Sequence, residues 1–184
     1  KEVVFVAGGT TLRIGDSAFA SCTELATIDL PSYTTAIGAS AFANCVLTSF
    51  TVPEKVTVIG KAAFYKCVNL EEVTFKCDGA LTIGKDATNI STGAFSGCVA
   101  LKSISLPAGT TEIGKYAFYE CKAMESADLG SSVTMINTYA FGRCYALKSL
   151  FIPKTVTTIG NSAFYMQGGE GSLEEVIFEP YGTK

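Results

Sequence analysis

One pattern of apolar and polar residues repeats along the whole chain. An Ala-Phe pair recurs seven times, and an isoleucine lies five residues before each of its phenylalanines. The phenylalanines are Phe19, Phe42, Phe64, Phe95, Phe118, Phe141 and Phe164, and the isoleucines are Ile14, Ile37, Ile59, Ile90, Ile113, Ile136 and Ile159. Successive phenylalanines are 22 or 23 residues apart, except for one step of 31. So regular a period predicts an array of one small structural unit.

Each unit also contains a stretch with the pattern L-x-x-I-x-L-P or a variant of it, such as LEEVTFK at residues 70–76. It reads LATIDLP at residues 25–31, LKSISLP at 101–107 and LKSLFIP at 147–153. The alternation of apolar and polar residues predicts a strand with one buried face. Proline then ends the strand, because it has no N–H to donate to a neighbouring strand. The glycine that follows the isoleucine predicts a turn, and the short Ala-Phe segment predicts a helical or 3₁₀ turn.

A unit of about 23 residues cannot bury its apolar face alone, but it can do so when stacked on a neighbour. We therefore predict a single domain over residues 1–184, a right-handed repeat solenoid. A parallel β-sheet should form one face, and turns or short helical segments the other. The buried positions of the first full unit should be Leu25, Ile28, Leu30, Ile37, Phe42 and Cys45.

The array has about seven repeats, with partial repeats at both ends and insertions near residues 77–90 and 166–172. The first insertion contains a second Ile-Gly pair, Ile83-Gly84, which leaves the alignment of the repeat open there. Insertions in solenoids become loops on one face, so the first is either a tolerated loop or part of a binding face. Neither end shows the polar cap that terminal repeats need. We expect that the domain continues in a longer protein or that another chain covers its ends.

Six of the seven cysteines recur three residues after the phenylalanine, and the seventh, Cys77, lies outside this series. Zinc sites need close clusters such as C-x₂-C, and none occurs here. The spacing of adjacent strands would allow disulfides between units. Inward-pointing parallel side chains, however, have poor torsional geometry for such a bridge. The pattern favours buried free thiols, because cysteine is small and among the most buried residue types.

Composition narrows the function classes further. The chain has no histidine, the commonest general base and a common metal ligand, and the cysteines therefore have no histidine to activate them. A net charge of −3 does not indicate the positively charged surface that nucleic-acid binding needs, and no apolar run is long enough for a membrane span. No phosphate-binding loop or nucleophile elbow occurs. We predict no catalytic residues, no metal site and no cofactor.

The phrases L-x-x-I-x-L-P and I-G-x-x-A-F-x-x-C together resemble the BspA-like class of leucine-rich repeats. The resemblance covers nearly the whole chain. It implies a leucine-rich-repeat solenoid from a secreted or cell-surface bacterial protein that adheres to or binds a macromolecule. The implied partner is a host protein, a matrix protein or another surface protein. No signal peptide is present in this sequence, which starts at Lys1, and we interpret it as a mature or excised chain.

Two sets of side chains are candidates for contacting a partner. The first set should point outward from the strands: Asp29, Thr51, Glu72, Thr74, Ser105, Asp128, Phe151 and Ile177. The second set consists of tyrosines near the Ala-Phe turns of the last three full units: Tyr116, Tyr119, Tyr139, Tyr145 and Tyr165. Both sets also have a purely structural explanation, in strand propensity and in packing between units. The alternatives to a binding module are a structural spacer and an accessory domain of a larger secreted protein or enzyme.

Overall fold

The computed structural model describes residues 3–5, 9–166 and 173–180, which wind into stacked coils. Its strands are β1 (Leu12–Ile14), β2 (Thr34–Ile37), β3 (Ser49–Val52), β4 (Val58–Ile59), β5 (Glu72–Phe75), β6 (Leu81–Ile83), β7 (Ser103–Ser105), β8 (Thr110–Ile113), β9 (Ser126–Asp128), β10 (Met135–Ile136), β11 (Ser149–Ile152), β12 (Thr158–Ile159) and β13 (Glu175–Phe178). One 3₁₀ helix covers Ile90–Thr92. Every pairing between strands is parallel, as stacking of equivalent coils requires.

The largest sheet of the molecule is built from the residues around the repeated isoleucine. It contains seven strands in the order β1-β2-β4-β6-β8-β10-β12. Ile37 lies opposite Ile59 and Ile113 opposite Ile136, so that equivalent side chains form one buried column. The sequence pattern did not predict these strands, because the Ile-Gly pair was assigned to a turn. The strands are two to four residues long, too short for a local two-residue period to be visible.

The predicted strands of the L-x-x-I-x-L-P stretches form a second column. They pair as β3-β5, β7-β9 and β11-β13, and β5 lies against β7 and β9 against β11. The first such stretch is an exception, because residues 25–31 form no strand. Leu25 and Ile28 are nevertheless buried, as predicted, whereas Leu30 is only partly buried. The apolar residues of this coil therefore pack into the core although the coil forms no paired strand here.

The Ala-Phe segments are tight turns, and the expected helical or 3₁₀ conformation was wrong for them. In five of the seven turns two residues have a left-handed backbone, as Ser17 and Ser21 do (φ 56° and 60°). The turns of Phe95 and Phe164 have one such residue each, Gly97 and Ser162. This alternation directs the N–H groups towards the following coil: Phe19 donates to the Ala41 carbonyl at 2.8 Å. The phenylalanine rings stack on one another with centroids 4.9–5.8 Å apart. The five central rings have no exposed surface.

The cysteine series has a role in hydrogen bonding as well as in packing. In the described residues all seven cysteines are free thiols, and all except Cys22 are buried. The thiol of Cys67 donates to the carbonyl of Phe42 in the preceding coil at 3.0 Å, and that of Cys144 to Phe118 at 3.2 Å. Cys45, Cys98 and Cys121 repeat the contact. A cysteine therefore recurs because each coil needs a small apolar side chain that also carries a donor.

The structure shows which isoleucine belongs to the column at the step of 31 residues. Ile83, and not Ile90, occupies the isoleucine column, where it lies between Ile59 and Ile113. Ile90 is exposed on the 3₁₀ helix, which Asn89 caps. The inserted residues thus lie mostly between Ile83 and the Ala-Phe turn, on the turn side of the solenoid. The second predicted insertion falls largely on residues 167–172, which lie outside the described residues.

Candidate functional site

Tyrosines form a contiguous group on the turn side of the last three coils. We call Tyr116, Tyr119, Tyr139, Tyr145 and Tyr165 the tyrosine cluster. Tyr116 and Tyr139 occupy the same left-handed turn position in successive coils, and their rings stack at 5.3 Å. The Tyr119 ring meets both of them edge-on at 5.9 and 6.1 Å, and Tyr165 meets Tyr139 edge-on at 5.8 Å. The stacking of the coils therefore brings the rings of four of these predicted residues into contact, all except Tyr145.

The five members of the cluster differ in exposure. Tyr165 is exposed, whereas Tyr116, Tyr139 and Tyr145 are each partly buried. The expectation that Tyr119 is exposed was wrong, because only 7% of this residue is accessible. Burial also raises the pKa of its hydroxyl. Tyr119 thus supports the other rings from beneath, and a partner would contact mainly Tyr165 and the edges of its neighbours.

An arginine holds the cluster in place. The guanidinium of Arg143 lies 5.6 Å from the centroid of the Tyr119 ring, within the range of a cation–π interaction. Its Nη1 donates to Glu120 Oε1 at 2.8 Å. Glu120 and Arg143 each precede the cysteine of their coils, so stacking places them one above the other. Sequence reasoning missed this pair, although the repeat register contained the signal.

The outward direction of the strand-face candidates is confirmed for most of them. Asp29, Glu72, Thr74, Ser105, Asp128, Phe151 and Ile177 are exposed, and Thr51 is partly exposed. Short polar contacts connect some of them: Ser105 Oγ lies 3.2 Å from Asp128 Oδ2. Phe151 and Ile177 lie opposite each other in the β11-β13 pair. This face is therefore small and polar along most of its length and apolar at its last coil.

A column of charged residues, which sequence reasoning also missed, borders the strand face. We call Glu71, Lys102, Glu125, Lys148 and Glu174 the charge column, because each follows the first apolar residue of its strand stretch. The signs alternate from coil to coil. Lys102 contacts Glu71, and Lys148 Nζ lies 2.8 Å from Glu174 Oε1. The side-chain hydrogen bond that Lys102 donates to Glu71 raises the pKa of Lys102, with a smaller contribution from Glu125.

The described residues show shallow depressions and no assembled reactive centre. One of about 500 Å³ lies beside Asp29 and Tyr33, and another of about 430 Å³ lies beside Val58 and Lys85. No group of three or more cysteine, aspartate or glutamate side chains among the described residues is arranged to hold a metal ion. Nor does the described part of the chain contain a helix long and apolar enough to cross a membrane.

Stacked parallel strands, a buried phenylalanine ladder and a turn side without regular helices define a leucine-rich-repeat solenoid. The model of the BspA-type leucine-rich repeat region matches residues 4–87 and 78–180, with six copies of the repeat. The chain therefore belongs to the BspA-type leucine-rich repeat family. A comparison with curated proteins finds no match.

Solved structures agree with this assignment. A leucine-rich repeat protein from Bacteroides ovatus is 31% identical over 90% of this chain, with a TM-score of 0.70. The T. pallidum leucine-rich repeat protein is 30% identical over 84% of this chain and 69% of its own, with a TM-score of 0.74. A protein from Eubacterium ventriosum shares the fold alone, at 20% identity over 96% of this chain and 45% of its own, with a TM-score of 0.65. The present chain spans only 43% of the B. ovatus protein.

Proposed function

We propose that the chain is a non-enzymatic module of a secreted or cell-surface protein and that it binds a protein partner through the tyrosine cluster. The observation that carries the proposal is the contact of four tyrosines of the cluster with one another and with Arg143 over three successive coils. Tyrosine and arginine dominate the energetically important positions of protein interfaces. The rings are already packed against one another, so little side-chain entropy is lost on binding. The family resemblance supports the extracellular location.

The experiment compares proteins retained from a mixture of matrix and cell-surface proteins by three immobilised forms of the chain. The wild type is compared with a Tyr116→Ser/Tyr165→Ser variant, which removes partner-facing rings and leaves buried Tyr119 intact. The control is Phe151→Ser/Ile177→Ser on the strand face, two substitutions at exposed positions. A partner of the cluster should be retained by the wild type and the control and lost from the tyrosine variant. Identical retention by all three forms would contradict the proposal.

A structural spacer or accessory repeat domain is the second candidate. It is favoured by the strand face, where most outward positions carry Ser, Thr, Asp or Glu without a concentrated apolar surface. Such a face is typical of a solvated sheet. If none of the three forms retains any protein above the level of an unrelated immobilised protein, the spacer is the better account.

A further inference from the structure

The tyrosine cluster lies on the side of the solenoid and not at one of its ends. Tyr116 and Tyr139 follow β8 and β10, each of which has a paired strand before and after it in the seven-stranded sheet. The N–H of Phe118 donates to the carbonyl of Ala140 in the following coil at 2.8 Å, so the bonds between turns run along the stack. A further coil would add at an end of this stack, whereas a molecule that contacts Tyr116 and Tyr139 approaches it from the side.

The two sides of the last three described coils carry opposite net charges. The turn segments, residues 114–123, 137–146 and 160–166, hold three cations and one acid: Lys115, Lys122, Arg143 and Glu120. The strand stretches of the same coils, residues 124–129, 147–153 and 173–179, hold one cation and five acids: Lys148, Glu125, Asp128, Glu174, Glu175 and Glu179. An acidic molecule is therefore attracted to the turn side and repelled by the strand side.

Two of the cations on the turn side have no acidic partner. The arginine already contacts Glu120, but Lys115 and Lys122 are exposed and form no ion pair with another described residue. The carboxylate of Glu112, which lines the same depression as Lys115, accepts from an asparagine amide of the next coil at 2.7 Å. Lys115 directly precedes Tyr116, and Lys122 directly follows the cysteine of the same coil. The two ammonium groups therefore belong to the two ends of the turn that carries Tyr116.

The exposed parts of the tyrosines are also suited to an anion. Stacking of Tyr116 on Tyr139 covers one face of each ring, and Tyr119 and Tyr165 take up further ring surface in edge-on contacts. Ring edges carry a partial positive charge, whereas ring faces carry a negative one. Among the described residues no group hydrogen-bonds the hydroxyls of Tyr116, Tyr139 and Tyr145. Each hydroxyl can therefore donate to a carboxylate, which accepts without donating.

We propose, building on the proposed function, that the partner presents an acidic, extended polypeptide segment to the tyrosine cluster. Its carboxylates bind Lys115 and Lys122 and accept hydrogen bonds from the hydroxyls of Tyr116 and Tyr139. Aliphatic residues between the carboxylates cover the exposed ring edges, a contact that a sulfated polysaccharide does not offer. Charge and hydrogen-bond donors thus select the segment, and the packed rings supply the contact area.

The test titrates the whole chain into two fluorescein-labelled peptides and follows fluorescence anisotropy. The acidic peptide is AEDLEDLA, and the amide peptide AQNLQNLA has nearly the same shape without the charges. The acidic peptide should bind the wild type about three- to tenfold more tightly than the amide peptide, because two exposed ion pairs are gained. Raising the sodium chloride concentration from about 0.05 to about 0.5 M should remove most of this preference.

Two charge variants locate the bound peptide. Lys115→Gln/Lys122→Gln should lose the preference for the acidic peptide. The matched control is Lys102→Gln/Lys148→Gln, which removes two cations from the strand side and changes the net charge by the same amount. This control should keep the preference, because the acidic peptide does not bind there. Far-UV circular dichroism establishes that both variants are folded.

Removing two hydroxyl groups tests the tyrosines themselves. Tyr116→Phe/Tyr139→Phe keeps the stacked rings and removes two donors, so it should weaken binding of the acidic peptide about two- to fivefold. Binding of the amide peptide should change less, because its side-chain amides are uncharged acceptors.

Four results would overturn the acidic partner. The first is equal affinity of the two peptides for the wild type, or no saturable binding up to about 1 mM. The second is an equal loss of preference in the control Lys102→Gln/Lys148→Gln. The third is tighter binding of heparin, a sulfated polysaccharide, that Tyr116→Phe/Tyr139→Phe leaves unchanged. The fourth is concentration-dependent association of the wild type that the other lysine variant abolishes, because the acidic strand side of a second copy would then be the occupant.

The proposed function fails at a different measurement. Proteins that are lost from Tyr116→Ser/Tyr165→Ser but retained by Lys115→Gln/Lys122→Gln would keep the cluster as the binding site and overturn only its acidic partner. Capture that Tyr116→Ser/Tyr165→Ser leaves unchanged would contradict the binding site itself, and the acidic partner with it.

Discussion

Replacing Phe118 by alanine tests the stacking of coils most directly. The ring has no exposed surface and lies between Phe95 at 5.4 Å and Phe141 at 5.3 Å. Truncating a buried phenylalanine costs about 3–5 kcal/mol of unfolding free energy. Each lost ring pair accounts for about 0.5–1.5 kcal/mol of interaction beyond area burial. Two ring pairs are lost here, so we expect the unfolding free energy to fall by about 4–5 kcal/mol, the upper half of the range for a buried phenylalanine.

The matched control is Phe164→Ala in the last coil. That ring is partly exposed and stacks on one neighbour, Phe141, at 5.8 Å. We expect a loss of about half as much, roughly 1.5–2.5 kcal/mol. Urea unfolding followed by far-UV circular dichroism measures both, since the chain has no tryptophan. The denaturant slope has to match that of the wild type, because repeat arrays can unfold in parts. A Phe118→Ala loss no larger than that of Phe164→Ala would refute coil stacking as the source of stability.

Further predictions concern the thiols and the glycines. A thiol reagent applied to the native protein should modify Cys22 rapidly and the six buried cysteines only at the rate of unfolding. Mass spectrometry measures the labelling, and rapid modification of most cysteines would contradict their burial. Burial raises the pKa of Cys67 and Cys144 to about 12, so their contribution to stability is fully present below the unfolded value near 9.0. It is lost as the pH rises from 9 to 12, which urea titrations across that range should show as a falling unfolding free energy. Gly93→Ala should destabilise the fold by about 1–3 kcal/mol, because the added Cβ would lie 2.0 Å from a backbone carbonyl oxygen of the next coil. Gly15→Ala is the control, since a Cβ there meets nothing within 4 Å. Thermal melting should show a lower melting temperature for Gly93→Ala and little change for Gly15→Ala.

The periodic apolar residues predicted most of the architecture. The phenylalanine and cysteine columns are buried where the spacing placed them, except at the end members Phe19, Phe164 and Cys22, which are partly buried. The strands from β3 onward in the L-x-x-I-x-L-P column formed as expected. The isoleucine sheet escaped prediction, because its strands are only two to four residues long and its Ile-Gly pairs were assigned to turns. The sequence left the alignment of the 31-residue step open. Ile83 and Ile90 both precede a turn signal, and only packing against Ile59 distinguishes them.

The candidate surfaces were predicted in part. Coil register alone predicts the stacking of Tyr116 on Tyr139, because the two residues share one position in adjacent coils. The burial of Tyr119 does not follow from it, since that depends on Arg143 and Tyr139 closing over the ring. The charge column was readable from the sequence, because its members share one position in the repeat. Its residues alternate in sign from coil to coil, so no single repeated residue type marks the column.

The left-handed residues of the Ala-Phe turns align the dipoles of their peptide groups. Within each described Ala-Phe turn the bonds to the next coil run in one direction, from the N–H groups of one coil to the carbonyls of the following coil. Peptide dipoles aligned in this manner add, as they do along an α-helix. The corner of the solenoid therefore acquires a polarity that grows with every added coil. Its positive end lies at the turn of Ser162 and Phe164, and its negative end at the first coil.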